Sequence, residues 1–101
     1  MKTLLAMTLA VLVSSPAFAA GNAADGKGKA AVCAACHGTD GIGIAPTFPN
    51  LAGQKAEYLV AQLKAFKSGE RKGAASATMA PMAAGLSDQD MLDLAAYFSS
   101  L

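Results

Sequence analysis

The sequence predicts a small all-α domain folded around an enclosed ligand, and three observations predict it. Three segments carry helical periodicity with recognisable end signals, while no segment shows the period-two alternation or the β-branched enrichment of a strand. The two stretches between them, residues 38–53 and 69–85, are rich in glycine or alanine. They are longer than the roughly 12–15 residues beyond which a structureless connection in a small domain is usually functional. The only two cysteines and the only histidine of the 101 residues fall together in "CAACH", Cys33 to His37.

The chain opens with a leader. Met1 and Lys2 supply a positive start, Leu4 to Val13 is an apolar run, and "SSPAFA" places small residues at Ala17 and Ala19. This is the pattern of a cleaved export signal over residues 1–19, and the run is too short to span a bilayer, which takes about 20 residues. Export to the periplasm and a single domain from Ala20 to Leu101 are expected, with no stable membrane insertion after cleavage. Without Lys2 the 8 basic and 7 acidic side chains balance, so no basic excess remains to neutralise nucleic-acid phosphates. A domain this short has a thin core and needs a staple.

The first helix is expected from about Ala23 into the cysteines, with Asn22 as its cap and Asp25 three residues on. The second, in "QKAEYLVAQLKAFKSG", sets Leu59, Leu63 and Phe66 at helical spacing and stops at Gly69. The third, in "SDQDMLDLAAYFSSL", opens on the Ser87–Asp90 capping pattern and aligns Met91, Leu94 or Ala95, Phe98 and Leu101. Residues 38–53 and 69–85 are expected as loops that wrap the ligand.

Four chemistries use a pair of cysteines two residues apart. A disulfide across so short a loop stabilises little, and zinc would need ligands beyond the only histidine and cysteines of the chain. A dithiol redox centre expects a βαβ context with the cysteines opening a helix, and here they close one. Covalent haem attachment fits: Cys33 and Cys36 share one face of a helical turn, spaced for thioether bonds to the two vinyl groups of one haem, and His37 follows where it can ligate the iron. A sixth ligand would come from residues 69–85, because haem iron held by His and Met makes a stable electron carrier. Met1 and Met7 leave with the leader and Met91 reads as core, so the candidates are Met79 and Met82, which sequence chemistry does not separate.

At this point the chain resembles the class I cytochromes c, and more closely the short bacterial type that also forms each half of the dihaem c-four cytochromes. "GKGKAAVCAACHG", "APTFPNLAGQ", "YLVAQLKAFKSGERK" and "MAPMAAGLSDQDMLDLAAYFSS" carry the resemblance in that order. One CXXCH makes this chain a monohaem relative. The resemblance implies three main helices and two long loops around one covalently attached haem c per chain. It implies Met79 as the iron ligand, eight residues before the capping Ser87, with Met82 as the alternative. It also implies that the Pro46 carbonyl accepts from the free ring nitrogen of His37, orienting the ligand and raising its basicity. By the same resemblance Tyr58 and Arg71 are candidate donors to a haem propionate, Gly41 and Gly43 would let backbone approach the porphyrin, and Gly26 or Gly28 would sit where the first and last helices cross, against Tyr97 or Phe98.

The resemblance implies a monomeric periplasmic electron carrier of positive reduction potential. Its partners would be redox proteins such as a quinol-oxidising complex and a terminal oxidase or reductase, with Lys55, Lys64, Lys67, Arg71 and Lys72 as a basic rim. The alternative is a c-type haem enzyme or gas sensor with an open or displaceable sixth site.

Overall fold

The computed structural model describes Thr3, residues 5–10 and residues 21–101. The expected processing site at Ala17 and Ala19 lies outside these residues. Among the described residues no helix is long and apolar enough to cross a membrane. They form α1 (Ala23–Lys29), α2 (Ala31–His37), α3 (Ala56–Ser68), α4 (Ala74–Ala84) and α5 (Asp88–Ser99), with no strand.

Local chemistry sets the ends. The Asn22 side chain accepts from the Asp25 N–H to start α1, and Ser87 and Asp90 close a reciprocal capping box on α5, a device worth about 1 kcal/mol. Gly69 ends α3 in the left-handed conformation that a side chain resists.

Two expectations are corrected. The first helix is broken at the buried Ala30 into α1 and α2, so the cysteines belong to a separate short helix, Ala31–His37. Most of the second expected loop is helix α4. Its small residues have high helix propensity but no apolar stripe, and neither end carries a side-chain cap. Pro81 stands inside it, so Ala77 loses its helical N–H partner, a cost that usually argues against a helix.

α5 packs against both α1 and α3, and α4 packs against α3. The buried face of α5 supplies Leu94, Ala95 and Phe98 to a core completed by Ala30, Leu59 and Val60. Met91 on the same helix is 0% exposed, as its reading as core requires. Of the two glycines considered for the helix crossing, Gly26 makes it. A Cβ there would overlap the Asp93 backbone carbonyl and stand 2.8 Å from Tyr97 Cβ, whereas one at Gly28 would meet nothing within 4 Å.

The crossing is fastened by a buried carboxylate. Asp93, 2% exposed, accepts from the Asn22 N–H at 2.9 Å and from Gln89 Nε2 at 2.9 Å, and its other oxygen lies 2.7 Å from Lys29 Nζ. Lys29 also reaches Asp90 at 2.9 Å. The Lys29 hydrogen bond, followed by those from Asn22 and Gln89, holds the Asp93 pKa at about 2, and the two carboxylates raise that of Lys29.

Gly26→Ala should cost about 3 kcal/mol, because the overlapped atom is backbone and cannot swing away. Gly28→Ala, in open space, should instead stabilise by about 0.5–1 kcal/mol through helix propensity; urea titrations of the two variants check both signs. Folded Asp93 binds its proton less readily than an unfolded aspartate of pKa about 3.9, so its stabilisation is present above about pH 4 and is lost as pH falls towards 2. Asp93→Asn should therefore flatten the acid limb of stability against pH, as urea titrations between about pH 2 and 6 would show.

Candidate functional site

The helices and the 38–55 connection enclose a cavity of about 660 Å³, within the range of about 300–1,000 Å³ that ligand sites occupy. α2 presents Val32, Cys33, Cys36 and His37 to it, and the connection adds Phe48, Pro49, Leu51 and Gln54. α3 contributes Tyr58, Leu59, Leu63 and Phe66, and α4 contributes Ala74, Ala75, Thr78, Met79 and Met82. Leu94, Ala95 and Phe98 of α5 line it as well, so the wall of the cavity is the inner face of the core.

The residues singled out as Cys33, Cys36, His37, Tyr58, Arg71, Met79 and Met82 are brought to this one space from elements far apart in sequence. Their environments differ. His37 is buried at 7% exposure, and its Nδ1 lies 2.8 Å from the Pro49 carbonyl oxygen. A carbonyl can only accept, so Nδ1 carries the proton and Nε2 keeps the lone pair available to a metal. The expected acceptor, Pro46, is thereby corrected to Pro49. Both prolines stiffen the same loop, and only the fold distinguishes them.

The two thiols are not bonded to each other, and burial pushes that of Cys33 up. Among the described residues no three His, Cys, Asp or Glu side chains come together as a metal cluster.

Arg71 spreads its guanidinium 4.4 Å from the Phe66 ring centre and donates from Nη1 to Gln62 Oε1 at 2.9 Å. That places a fixed positive charge at the cavity wall. Tyr58 is half exposed at 51%, and Met82 at 49%, whereas Met79 is more enclosed. Gly41 and Gly43, expected against the porphyrin, instead press on their own loop. A Cβ at Gly41 would stand 2.9 Å from Ala52, and one at Gly43 would overlap the Phe48 carbonyl.

Sequence reasoning missed Pro49, Phe48, Gln62 and the α4 face of Ala74, Ala75 and Thr78. The "TFPNL" run held a signal for Pro49 and Phe48, since a second proline in a ligand-wrapping loop is an equal candidate for the histidine contact. For α4 the alanine richness was the available signal.

The donor set suits a flat, mostly apolar group bonded through two thioethers and ligated by an imidazole, with polar partners supplied by Gln54, Gln62 and Arg71. A family model described as cytochrome c matches residues 23–101. Cytochrome c-554(548) of Halomonas halodenitrificans is 58% identical over 81 residues, spanning 80% of this chain and 98% of that protein. Cytochrome c4 of Azotobacter vinelandii is 48% identical across 98% of this chain, which spans only 50% of that protein. A crystal structure of reduced recombinant cytochrome c4 from Pseudomonas stutzeri superposes with a TM-score of 0.69 at 51% identity, over 79% of this chain and 45% of the crystallised one.

Replacing Cys33 and Cys36 together by alanine should leave no haem that survives denaturing electrophoresis, while either single replacement should leave one thioether and a weaker haem stain.

Proposed function

The chain belongs to the cytochrome c family and carries covalently bound haem c, and we propose that it is a periplasmic one-electron carrier in which His37 and Met79 fill both axial positions of the iron. The observation that carries this reading is that Cys33, Cys36, His37 and Met79 line one largely apolar cavity. When bound, haem c supplies an iron that takes up and gives back one electron.

The chain's own residues support a carrier role for such an iron. His37 is held by Pro49 in the tautomer that offers Nε2. The thioether of Met79 is a weak donor that favours the ferrous state, and the apolar walls from Leu59, Leu63, Leu94 and Phe98 disfavour the extra charge of the ferric state. Together they raise the potential above that of a bis-histidine site. With both positions taken by protein, no place is left for a substrate, which makes the protein a carrier rather than an enzyme. Arg71 and Tyr58, both at the cavity wall, are the donors we assign to the propionates.

Met82, half exposed beside Met79 on the same helix, packs at the mouth of the site. Lys55, Lys64 and Lys72 are exposed and supply a basic margin, whereas Lys67 donates to the Leu86 carbonyl. Such a margin steers acidic redox partners into brief encounters, and a quinol-oxidising complex and a terminal oxidase or reductase are the partners we propose for the monomer.

The test is a pair of variants. Met79→Ala should keep haem attached, lose the weak long-wavelength sulfur-to-iron band of the ferric protein and lower the potential, whereas Met82→Ala should keep the band. Loss of the band in Met82→Ala alone would assign the ligand to Met82.

A further inference from the structure

Pro49 supplies the acceptor for His37, yet a carbonyl on an exposed loop is a steady acceptor only if the loop cannot turn it away. The proline ring fixes φ at Pro49 but leaves ψ free, and ψ is the torsion that aims the carbonyl. Something downstream has to fix it.

Two contacts with one glycine do so. On the N-terminal side of Pro49, the Phe48 carbonyl is pressed against Gly43, where no Cβ would fit. On the C-terminal side, the Asn50 side-chain oxygen accepts from the Gly43 N–H at 2.8 Å. Pro49 is thus straddled by a clamp whose far jaw is a single residue, Gly43.

The C-terminal jaw is reinforced. Gln54 Nε2 donates to the Asn50 backbone carbonyl at 2.5 Å, and Leu51 N–H donates to the Gly41 carbonyl at 2.7 Å. On the other side of the loop, Ile44 N–H donates to the Cys36 carbonyl at 3.0 Å, which ties the Gly43 segment to the helix that bears the histidine. A closed ring of contacts therefore runs from His37 through Pro49, Asn50, Gly43 and Ile44 back to Cys36. Asn50 is exposed and lies outside the hydrophobic core, so the hydrogen bond to Gly43 is the contact that gives its side chain a place in this ring.

We infer that Asn50 is a positioning residue for the axial histidine: by holding Gly43 N–H it fixes the Pro49 carbonyl on His37 Nδ1 and so sets the donor strength of the imidazole. This rests on His37 as an iron ligand, the reading proposed above. A firm hydrogen bond from Nδ1–H raises the basicity of Nε2 and favours the ferric state, so loosening it should raise the reduction potential. Asparagine suits the task because its side chain offers an acceptor to a backbone N–H without adding a charge beside the iron.

The experiment uses the haem-loaded protein and two readouts, the reduction potential and the exchange rate of the His37 Nδ1–H proton by NMR of the ferrous form. Asn50→Ala should shift the potential upwards and speed Nδ1–H exchange. Asn50→Asp, which keeps the acceptor, should retain the slow exchange. Lowered thermal stability in Asn50→Ala with unchanged potential and unchanged exchange would overturn the inference and leave Asn50 a loop-stabilising residue. If Asn50→Ala does not retain haem, Gln54→Ala decides by the exchange rate: faster exchange supports the clamp and an unchanged rate refutes it. A wild-type ferrous protein whose His37 ring resonances lack the upfield displacement of a ligand held over the porphyrin would instead defeat the ligation reading itself, an outcome distinct from either.

Discussion

The wall of the ligand cavity and the inner face of the hydrophobic core are the same surface. Leu59, Leu94, Ala95 and Phe98 pack against Ala30 and Val60 on one side and line the cavity of about 660 Å³ on the other. A domain of this length cannot bury enough of its own side chains to be firmly stable, and the usual remedy is a staple. Here the staple is the covalently bound haem c, which Cys33 and Cys36 would hold at one wall of the cavity, with α3, α4 and α5 supplying the others. Core packing and cofactor binding are therefore one process, and a side chain removed from α5 affects both.

The rest of the fold keeps α2 in place against that wall. α2 is short and uncapped by a side chain, so it depends on its neighbours. The close crossing of α1 and α5 at Gly26 and the buried Asp93 hold the segment that precedes it. Beyond it, the Tyr97 hydroxyl donates to the Thr39 carbonyl at 3.2 Å and the Pro49 carbonyl accepts from His37. The last helix thus braces the histidine from both directions, although it supplies no ligand. Lys29 takes part in both structures, bridging Asp90 and Asp93 while its side chain borders the cavity.

What could be read from the residues divides along physical lines. Asn22, Gly69 and the Ser87–Asp90 pair announced their helix ends because capping is local chemistry, complete within four residues. The spacing of Cys33, Cys36 and His37 was legible for the same reason, being complete within five residues, and the fold brings all three to one cavity wall. α4 was hidden: its alanines and methionines show no stripe, and Pro81 reads as a breaker until α3 is there to pack against. The choices between Pro46 and Pro49, and between Gly26 and Gly28, turn on how distant segments meet, which no local pattern encodes. Gly41 and Gly43, expected beside the porphyrin, stand at close approaches within their own loop, to Ala52 and to the Phe48 carbonyl, which a local pattern does not encode either.

Function follows from the same geometry. A buried imidazole of fixed tautomer and a thioether from α4 border one largely apolar space. That combination suits the storage and release of an electron. The most direct test of this account is carbon monoxide binding to the ferrous haem-loaded protein at neutral pH. Filled axial positions predict no change in the Soret band on mixing; ready formation of a carbon monoxide complex would contradict the account and mark an open or displaceable site.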